Sequence, residues 1–258
     1  MASLGLFDIE GKRAVVTGGG SGIGTMIARG FVQAGVEVLI ASRKETSLRE
    51  VTDELSQIGT CSYVVADLST EDGCRQLGEA VADRWDSLDI LVNNAGATWG
   101  APLAEQDHAS WARVLDLNVE GVFHTTKFLL PLLRAAGRQD DPARIINIGS
   151  IDGIHVPALE TYAYGASKAA VHQLTRHLAK HLAPTITVNA IAPGPFRSRM
   201  MKGTIEAVGE ENLAAGMPLK RIGRDEDMAG TAVFLASAAA SFITGAVLPV
   251  DGGMATTK

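Results

Sequence analysis

The stretch Arg13-Ala-Val-Val-Thr-Gly-Gly-Gly-Ser-Gly-Ile-Gly24 indicates how the chain begins to fold. Its β-branched start is typical of a buried strand, and the glycines that follow open a helix. Gly18 permits the tight turn, Gly22 lets backbone approach a pyrophosphate, and Gly24 lets the helix pack close to the sheet. The N–H groups and the dipole of the helix start favour phosphate. This unit therefore predicts a dinucleotide site rather than a turn that only reverses the chain.

The rest of the chain alternates short apolar runs with longer helical stretches. We expect strands at Arg13–Thr17, Val36–Ala41, Ser62–Ala66, Asp89–Val92, Arg144–Gly149, Ile186–Ile191 and Ala246–Val250. We expect helices at about Gly22–Ala34, Glu45–Gln57, Glu71–Trp85, Gln106–Ala136, Tyr162–Leu182 and Asp225–Leu235. Because the strands are apolar nearly throughout, both faces of their sheet should be covered. The pattern predicts one α/β domain over residues 1–258, with a doubly wound, parallel seven-stranded sheet and right-handed crossovers.

One segment, Pro193–Met217, interrupts this alternation after the sixth strand. An irregular segment of this length is usually a lid or a binding loop, so we expect residues 195–217 to cover a substrate. A helical surface excursion is the alternative. Arg197, Arg199 and Lys202 lie on this segment, and they either attract an anionic carrier or are simply solvated.

Composition narrows the class of protein. The 258 residues are 46% hydrophobic, yet no apolar run approaches the ~20 residues of a membrane helix. We expect the excess apolar surface to be buried between subunits. Cys61 and Cys74 form no Cys-x-x-Cys pair, and the first residues lack a secretory pattern, which favours a reduced, cytoplasmic protein. A net charge of −6 argues against nucleic acid as a partner.

The end of the second strand bears on which dinucleotide binds. An NAD-preferring enzyme places a carboxylate about 20 residues past the glycines. This chain has Ser42 and Arg43 there, a hydroxyl and a guanidinium that suit a 2′-phosphate. The pattern therefore favours NADP(H), with NAD(H) and a merely solvated strand end as the alternatives.

A second informative spacing is Tyr164 with Lys168, which share one helical face at i and i+4. A cation near the phenol is expected to favour phenolate and lower the pKa of Tyr164. Tyr162 has Ala166 at the same spacing, so we assign it to a pocket wall or to packing. His177 and His181 also stand at i and i+4, but no carboxylate completes a metal set, so we expect them exposed and no metal bound.

In this order, Thr17-Gly-Gly-Gly-Ser-Gly-Ile-Gly24, Asn93-Asn-Ala-Gly96, Ser150, Tyr164-x-x-x-Lys168 and Pro193-Gly194 resemble the short-chain dehydrogenase/reductase family, whose members have a Rossmann fold. The runs 93–100, 162–168 and 192–200 are similar to the β-ketoacyl reductases associated with rhamnolipid synthesis.

The resemblance implies a catalytic tetrad of Asn118, Ser150, Tyr164 and Lys168. Tyr164 would exchange the proton with the substrate oxygen, and Ser150 would hydrogen-bond that oxygen. Lys168 would lower the phenol pKa and hold the nicotinamide ribose. Asn118 would position a water that relays protons to Lys168; a kink from back-bonding in the helix is its alternative.

The resemblance also implies cofactor contacts along the carboxyl ends of the strands. They are Gly18, Ser21, Gly22, Ile23, Gly24, Ser42, Arg43, Asp67, Leu68, Asn94, Ala95, Gly96, Tyr164, Lys168, Pro193, Gly194, Phe196 and Ser198. Ser198 stands where the family usually has threonine and keeps the hydroxyl. Ser21 stands where many NADP-dependent members carry a basic residue, which leaves Arg43 to hold the 2′-phosphate largely alone.

Together these features predict an NADP(H)-dependent oxidoreductase that interconverts a ketone and a secondary alcohol. A 3-oxoacyl thioester, carried by a protein or by coenzyme A, is the expected substrate. A polyol, sugar or steroid dehydrogenase is the alternative, and a non-catalytic sensor or scaffold is the alternative outside enzymes. Trp99 and Met217 either wall an apolar pocket or pack. The resemblance implies a homotetramer that packs through Gln106–Ala136 and Tyr162–Leu182.

Overall fold

The computed structural model describes residues 5–198 and 200–257 and contains one parallel sheet of seven strands in the order β3-β2-β1-β4-β5-β6-β7. The strands are β1 (Arg13–Thr17), β2 (Glu37–Ser42), β3 (Cys61–Val65), β4 (Ile90–Asn93), β5 (Ala143–Ile148), β6 (Ile186–Pro193) and β7 (Val247–Val250). The predicted doubly wound α/β fold is thereby confirmed. Strand ends differ from the predicted ends by at most two residues, because pairing with neighbours decides where a strand ends.

Helices cover both faces of the sheet. They are α1 (Ile23–Gln33), α2 (Glu45–Leu55), α3 (Glu71–Ala82), α4 (His108–Leu115), α5 (Gly121–Ala136), α6 (Tyr162–Leu182), α7 (Lys202–Val208), α8 (Glu210–Ala215) and α9 (Asp225–Ala236). Successive strand residues point to opposite faces. Val16 therefore joins an apolar cluster with Phe31 of α1, and Val15 joins a second cluster with Leu129 of α5. Because both faces carry a core, the strands are apolar throughout. No helix of the described ranges is long and apolar enough to cross a membrane.

The predicted helix Gln106–Ala136 is interrupted. A π-helical turn, Asp116–Glu120, separates α4 from α5, and Asp107 caps the start of α4 through the Ser110 N–H at 2.7 Å. A π turn inserts one extra residue per turn and commonly occurs at functional sites. Here the inserted turn carries Asn118. The prediction of one continuous helix was wrong at this point, because a tertiary contact of that side chain competes with the regular helix.

The segment 193–217 is not irregular throughout. It contains α7 and α8, two short helices of 7 and 6 residues. Arg197 holds the segment by donating to both carboxylate oxygens of Glu210 at 2.8 and 2.9 Å. The helical excursion that the sequence left as an alternative is therefore present. Whether residues 195–217 act as a substrate lid stays a proposal.

A buried polar ladder ties the sheet to the helices beneath the site. The Asn93 amide donates to Asn147 Oδ1 at 2.9 Å and to Thr126 Oγ1 at 3.1 Å, and the Asn147 amide donates to Thr175 Oγ1 at 2.9 Å. These side chains lie on β4, β5, α5 and α6. Each such bond contributes about 1 kcal/mol net, and an unpaired buried partner costs more. The ladder therefore holds α6 in one register against β5.

Candidate active site

Asn118 is 1% exposed and bonds to the loop after β4. Its Oδ1 accepts from the Ala97 N–H at 2.8 Å, and its Nδ2 donates to the Ala97 carbonyl and to Ser167 Oγ, both at 2.9 Å. The Ser167 hydroxyl in turn donates to the Tyr164 carbonyl at 2.7 Å. The π turn thus places Asn118 between the Ala97 loop and the helix that carries Tyr164. Back-bonding within its own helix is not among the hydrogen bonds of Asn118 in the described residues.

Lys168 lies beneath the same loop and is 5% exposed. Its Nζ donates to the Ile148 carbonyl at the end of β5 at 2.8 Å. A side-chain carbon at Gly96 would lie 3.6 Å from Lys168 Nζ and 3.3 Å from Asn118 Oδ1. Glycine at 96 therefore leaves space beside both groups. Burial lowers the pKa of Lys168 to about 8.

Tyr164 and Ser150 meet at the mouth of this cluster. Ser150 follows β5 and caps the 3-10 turn Ile151–Gly153; its Oγ accepts from the Asp152 N–H at 3.1 Å, and its hydroxyl lowers the pKa of the Tyr164 phenol. Burial raises the pKa of Tyr164 to about 12; the Ser150 hydrogen bond lowers it and the Asp152 charge raises it. The phenol is therefore protonated at neutral pH and can donate.

This outcome corrects the expectation that Lys168 lowers the pKa of Tyr164. Lys168 Nζ lies 5.5 Å from the centre of the Tyr164 ring and is hydrogen-bonded elsewhere. Withdrawal from water disfavours the charged form of both groups, so burial raises the phenol pKa and lowers the amine pKa. Helical spacing brought the two side chains to one face, but it did not place the ammonium at the phenol oxygen.

The glycine turn has the tight geometry of a phosphate loop. Gly18 and Gly22 have φ of +67° and +58°, which favour glycine. A side-chain carbon at Gly24 would collide with the Gly18 carbonyl and lie 2.5 Å from Asn94 Nδ2. The turn therefore presents bare backbone at the start of α1, where helix N–H groups favour anions. Ile23 is partly buried against the core and holds α1 on the sheet.

Thr17 joins this turn to the loop after β4. Its Oγ1 accepts from the N–H groups of Asn94 and Ala95 at 2.9 and 3.0 Å and donates to the Val92 carbonyl at 3.2 Å. Asn94 Nδ2 also donates to the Thr17 carbonyl at 2.8 Å. The two loops that line the crevice are thus held at a fixed distance. Thr17 was not among the predicted site residues, because a threonine at a strand end carries no distinctive signal.

The ends of β2 and β3 form the candidate 2′-phosphate region. Arg43 is exposed, and its Nη1 lies 3.9 Å from Asp67 Oδ2. A side-chain carbon at Gly20 would lie 3.5 Å from Ser42 Oγ, so Ser42 stands beside the glycine turn. Partial burial raises the pKa of Asp67, but hydrogen bonds from Ser69 and the charge of Arg43 outweigh it and hold that pKa below its ordinary value. Ser21 is exposed on the turn, and Leu68 is buried.

On the opposite side of the site, Pro193 ends β6. Gly194 packs closely on Asp251: a side-chain carbon added at position 194 would lie 2.8 Å from Asp251. Ser198 faces Gly22: a side-chain carbon added at position 22 would lie 3.1 Å from the Cβ of Ser198. For Phe196, the prediction of a cofactor contact can apply only to the backbone. Its ring is 2% exposed and fills the space over Gly223, so its side chain belongs to the core.

Two cations of segment 193–217 are paired with carboxylates. Arg197 pairs with Glu210, and Lys202 Nζ lies 3.8 Å from Glu206 Oε1. Arg199 lies outside the described residues. The paired charges weaken the interpretation of this segment as a mouth for an anionic carrier.

The remaining candidates lie at the surface or in the core. Tyr162 is 40% exposed and donates to Glu160 at 2.8 Å, and His177 and His181 are exposed as expected. Trp99 is 40% exposed with the Arg113 guanidinium 5.6 Å from its ring centre, whereas Met217 is buried. In the described ranges no three His, Cys, Asp or Glu side chains gather as metal ligands would.

A protonated phenol, a serine hydroxyl and a buried lysine beside a dinucleotide turn define a nicotinamide-dependent oxidoreductase acting on C=O and CH–OH groups. A family profile described as enoyl-(acyl carrier protein) reductase matches residues 18–255. The chain belongs to the short-chain dehydrogenase/reductase family.

Individual relatives agree with this assignment. The chain is 46% identical over 249 residues to the rhamnolipids biosynthesis 3-oxoacyl-[acyl-carrier-protein] reductase of Pseudomonas aeruginosa, covering 96% of this chain and 97% of the relative. It is 34% identical over 248 residues to a 3-oxoacyl-[acyl-carrier-protein] reductase of Thermotoga maritima, covering 95% and 98%. A solved P. aeruginosa RhlG/NADP active-site complex superimposes with a TM-score of 0.93 at 46% identity, covering 97% of this chain and 98% of that one.

The burial of Lys168 makes stability depend on pH. In the unfolded chain its pKa is near 10.5, whereas in the folded protein it is about 8. Between these values the unfolded state binds more protons, so the free energy of unfolding rises with pH. Relative to Lys168→Met, the parent should gain about 2 kcal/mol from about pH 7.5 to about pH 10, measured by urea unfolding. Lys127→Met removes an exposed lysine and keeps Lys168, so this control should show the same gain as the parent. Equal gains in the parent, Lys168→Met and Lys127→Met would contradict a lowered pKa of Lys168.

Proposed function

We propose that this enzyme reduces the ketone of 3-oxoacyl thioesters with NADPH, and that the reverse oxidation uses the same groups. The observation that carries the proposal is the Tyr164 phenol, which burial keeps protonated beside the Ser150 hydroxyl. The activities printed for the P. aeruginosa and T. maritima relatives support the choice of substrate class. Carriage of the acyl group by a protein or by coenzyme A is part of the proposal.

A bound NADPH supplies the hydride to the carbonyl carbon. Negative charge then develops on the substrate oxygen, and the Ser150 hydroxyl stabilises that charge by donating a hydrogen bond. Tyr164 donates its proton to the same oxygen as general acid. In this direction a raised phenol pKa is an advantage, since the acid form is fully populated at neutral pH.

Lys168 and Asn118 act behind the phenol. Lys168 is anchored to the Ile148 carbonyl, and its remaining N–H groups face the space that Gly96 leaves open. We assign it to the nicotinamide ribose and to proton supply. Asn118 and Ser167 hold the Ala97 loop against α6, so they maintain the width of that space.

Preference for NADP(H) is assigned to Ser42 and Arg43. Arg43 is exposed at the end of β2 and can turn its guanidinium toward a phosphate, because its Asp67 contact is 3.9 Å long and weak. Ser21 offers only a hydroxyl. The NADP complex of the P. aeruginosa structure supports this preference.

The intact site argues against a non-catalytic sensor or scaffold, because cofactor binding alone needs only the glycine turn. We also propose that the enzyme is cytoplasmic, since Cys61 and Cys74 are free thiols.

The role of Tyr164 is tested with Tyr164→Phe. Loss of the general acid should lower kcat for 3-oxoacyl thioester reduction by about 10²- to 10⁴-fold while NADPH binding is retained. Turnover is followed by NADPH absorbance and binding by NADPH fluorescence. Tyr162→Phe, on the same helix but hydrogen-bonded to Glu160, is the matched control and should keep near-parental kcat. Undiminished turnover by Tyr164→Phe would refute the assignment. Oxidation of polyols, sugars or steroids without thioester reduction would refute the substrate class.

The role of Arg43 is tested with Arg43→Ala. Losing a charge-assisted contact to the 2′-phosphate should raise KM for NADPH about tenfold or more and leave KM for NADH unchanged. Arg49→Ala is the control, because Arg49 is exposed nearby on α2 but pairs with Glu45. Equal rates with NADH and NADPH in the parent would overturn the preference itself.

The quaternary structure is proposed to be a homotetramer that packs through α4, α5 and α6. Phe123 of α5 is 44% exposed and Phe242 is fully exposed in the single chain, which is costly for aromatic side chains in water. Sedimentation equilibrium should give about four times the 27.0 kDa chain mass. A monomer mass at micromolar concentration would contradict the proposal.

A further inference from the structure

The loop after β4 and the helix α4 place an aromatic side chain and a cation together at the surface. Trp99 is 40% exposed, and the Arg113 guanidinium lies 5.6 Å from the centre of its ring. Arg113 is exposed as well. The proposed transfer of hydride and proton uses neither side chain, so their arrangement needs another explanation.

The pair lies close to the reacting groups. A side-chain carbon added at Gly96 would lie 3.6 Å from Lys168 Nζ, so the loop begins its course beside the buried lysine. Trp99 follows Gly96 by three residues, and three residues of chain span at most about 11 Å. Trp99 therefore stands at the mouth of the crevice that holds the lysine.

The same loop is fastened to the start of α6. The Ala101 N–H donates to the Glu160 carbonyl at 3.3 Å, and a side-chain carbon added at Gly100 would lie 3.2 Å from Thr161. Thr161 precedes Tyr164 by three residues. Because the residues on both sides of Trp99 are attached to the site, the position of its ring relative to Tyr164 is fixed.

Arg113 differs from the cations of segment 193–217. Arg197 pairs with Glu210, and Lys202 Nζ lies 3.8 Å from Glu206 Oε1. Within residues 5–198 and 200–257, Arg113 forms no ion pair and its side chain donates no hydrogen bond. The guanidinium is held only by the indole face, through a cation–π contact, which leaves its N–H donors available. Its surroundings thus suit an anion from outside the chain.

We propose that Arg113, positioned by Trp99, binds the phosphate of the phosphopantetheine arm that both coenzyme A and an acyl carrier protein present. The inference rests on the proposed 3-oxoacyl thioester substrate and names the part of the carrier that is recognised. Pantetheine is a flexible chain between thioester and phosphate, so the phosphate lies outside the crevice when the ketone is at Tyr164. A guanidinium offers a planar fork of donors that matches phosphate, and the indole restricts its motion beforehand.

A purely structural role for Arg113 predicts a different result. Arg113 lies in the last turn of α4, where a cation interacts favourably with the helix dipole. Loss of that interaction would affect all substrates alike. Substrates that differ only in the phosphate therefore separate the two roles.

The test compares one 3-oxoacyl group on coenzyme A, on an acyl carrier protein and on pantetheine, which lacks the phosphate. Arg113→Gln should raise KM about threefold to tenfold for the first two thioesters and leave KM for the pantetheine thioester unchanged, because an exposed charge-assisted contact is lost. Arg113→Lys keeps the charge without the fork and should show a smaller rise. Arg138→Gln is the matched control, at an exposed arginine before β5 on the opposite edge of the sheet. It should leave all three KM values unchanged.

The pattern across the three thioesters decides the outcome. A rise for both phosphate-bearing thioesters supports the proposal, and their relative kcat/KM then shows which carrier the enzyme prefers. No rise, or an equal rise for all three, would overturn it. A rise confined to coenzyme A would assign Arg113 to the nucleotide, and one confined to the carrier protein would assign it to that protein's surface; both also overturn the shared phosphate.

The role of Trp99 is read from a double-mutant cycle. Trp99→Ala should raise KM for the two phosphate-bearing thioesters, and it should add little in the Arg113→Gln background, because the indole acts through the guanidinium. Full additivity would overturn the positioning role of Trp99.

Arg113 lies on α4, which is also part of the proposed subunit contact. Arg113→Gln should keep the assembly mass of the parent in sedimentation equilibrium. A changed mass would place Arg113 in the subunit contact and overturn the proposal.

A binding measurement without turnover separates this site from the proposed function. Isothermal titration of the NADP⁺-loaded enzyme should show 4′-phosphopantetheine binding more tightly than pantetheine in the parent and equally in Arg113→Gln. If that difference is found but 3-oxoacyl thioesters are not reduced, the proposed function fails and the phosphate site stands. If thioesters are reduced and the difference is absent, the phosphate site fails and the proposed function stands.

Discussion

Parallel pairing of the seven strands is the constraint on which the site depends. Because all strands point the same way, Thr17, Ser42, Asn93, Ile148 and Pro193 end at one edge of the sheet. The strand order reverses between β1 and β4, and the loops leaving these strands diverge there, which opens a crevice for a dinucleotide. Hydrogen bonds from Thr17 to the loop after β4 set the width of the crevice. Residues from five distant parts of the chain therefore meet without any long connecting loop.

Withdrawal from water decides the chemistry of that edge. Burial moves the pKa of the Tyr164 phenol up to about 12 and that of Lys168 down to about 8, so it shifts each group toward its uncharged form. An uncharged acid is suited to donate a proton to an oxygen that gains charge during hydride transfer. Asp152 acts in the same direction as burial, whereas the Ser150 hydrogen bond opposes it. The polar ladder beneath the site keeps α6 where these effects act on the phenol.

Much of the fold followed from local patterns. The β-branched runs located all seven strands, and α6 was predicted at its exact bounds, because periodicity and strand composition are short-range signals. The π turn at Asp116–Glu120 was missed, and the helices α7 and α8 were foreseen only as an alternative, since each depends on contacts outside its own segment. The burial of the Phe196 ring was not predicted either, because it depends on the bare backbone of Gly223, beside which the ring packs.

The sequence by itself determined the order of elements, the glycine turn and the set of side chains at the site, because backbone conformation at glycine and the i, i+4 spacing are properties of a few adjacent residues. Tertiary structure decided what those side chains do. The Lys168 amine donates to the Ile148 carbonyl, and the Asn118 amide donates to the Ala97 carbonyl. The Asp152 carboxylate lies near the His155 ring. Dielectric environment and partner geometry arise only when distant segments pack. The spacing of Tyr164 and Lys168 suggested a lowered phenol pKa, and burial in the packed structure raises it instead.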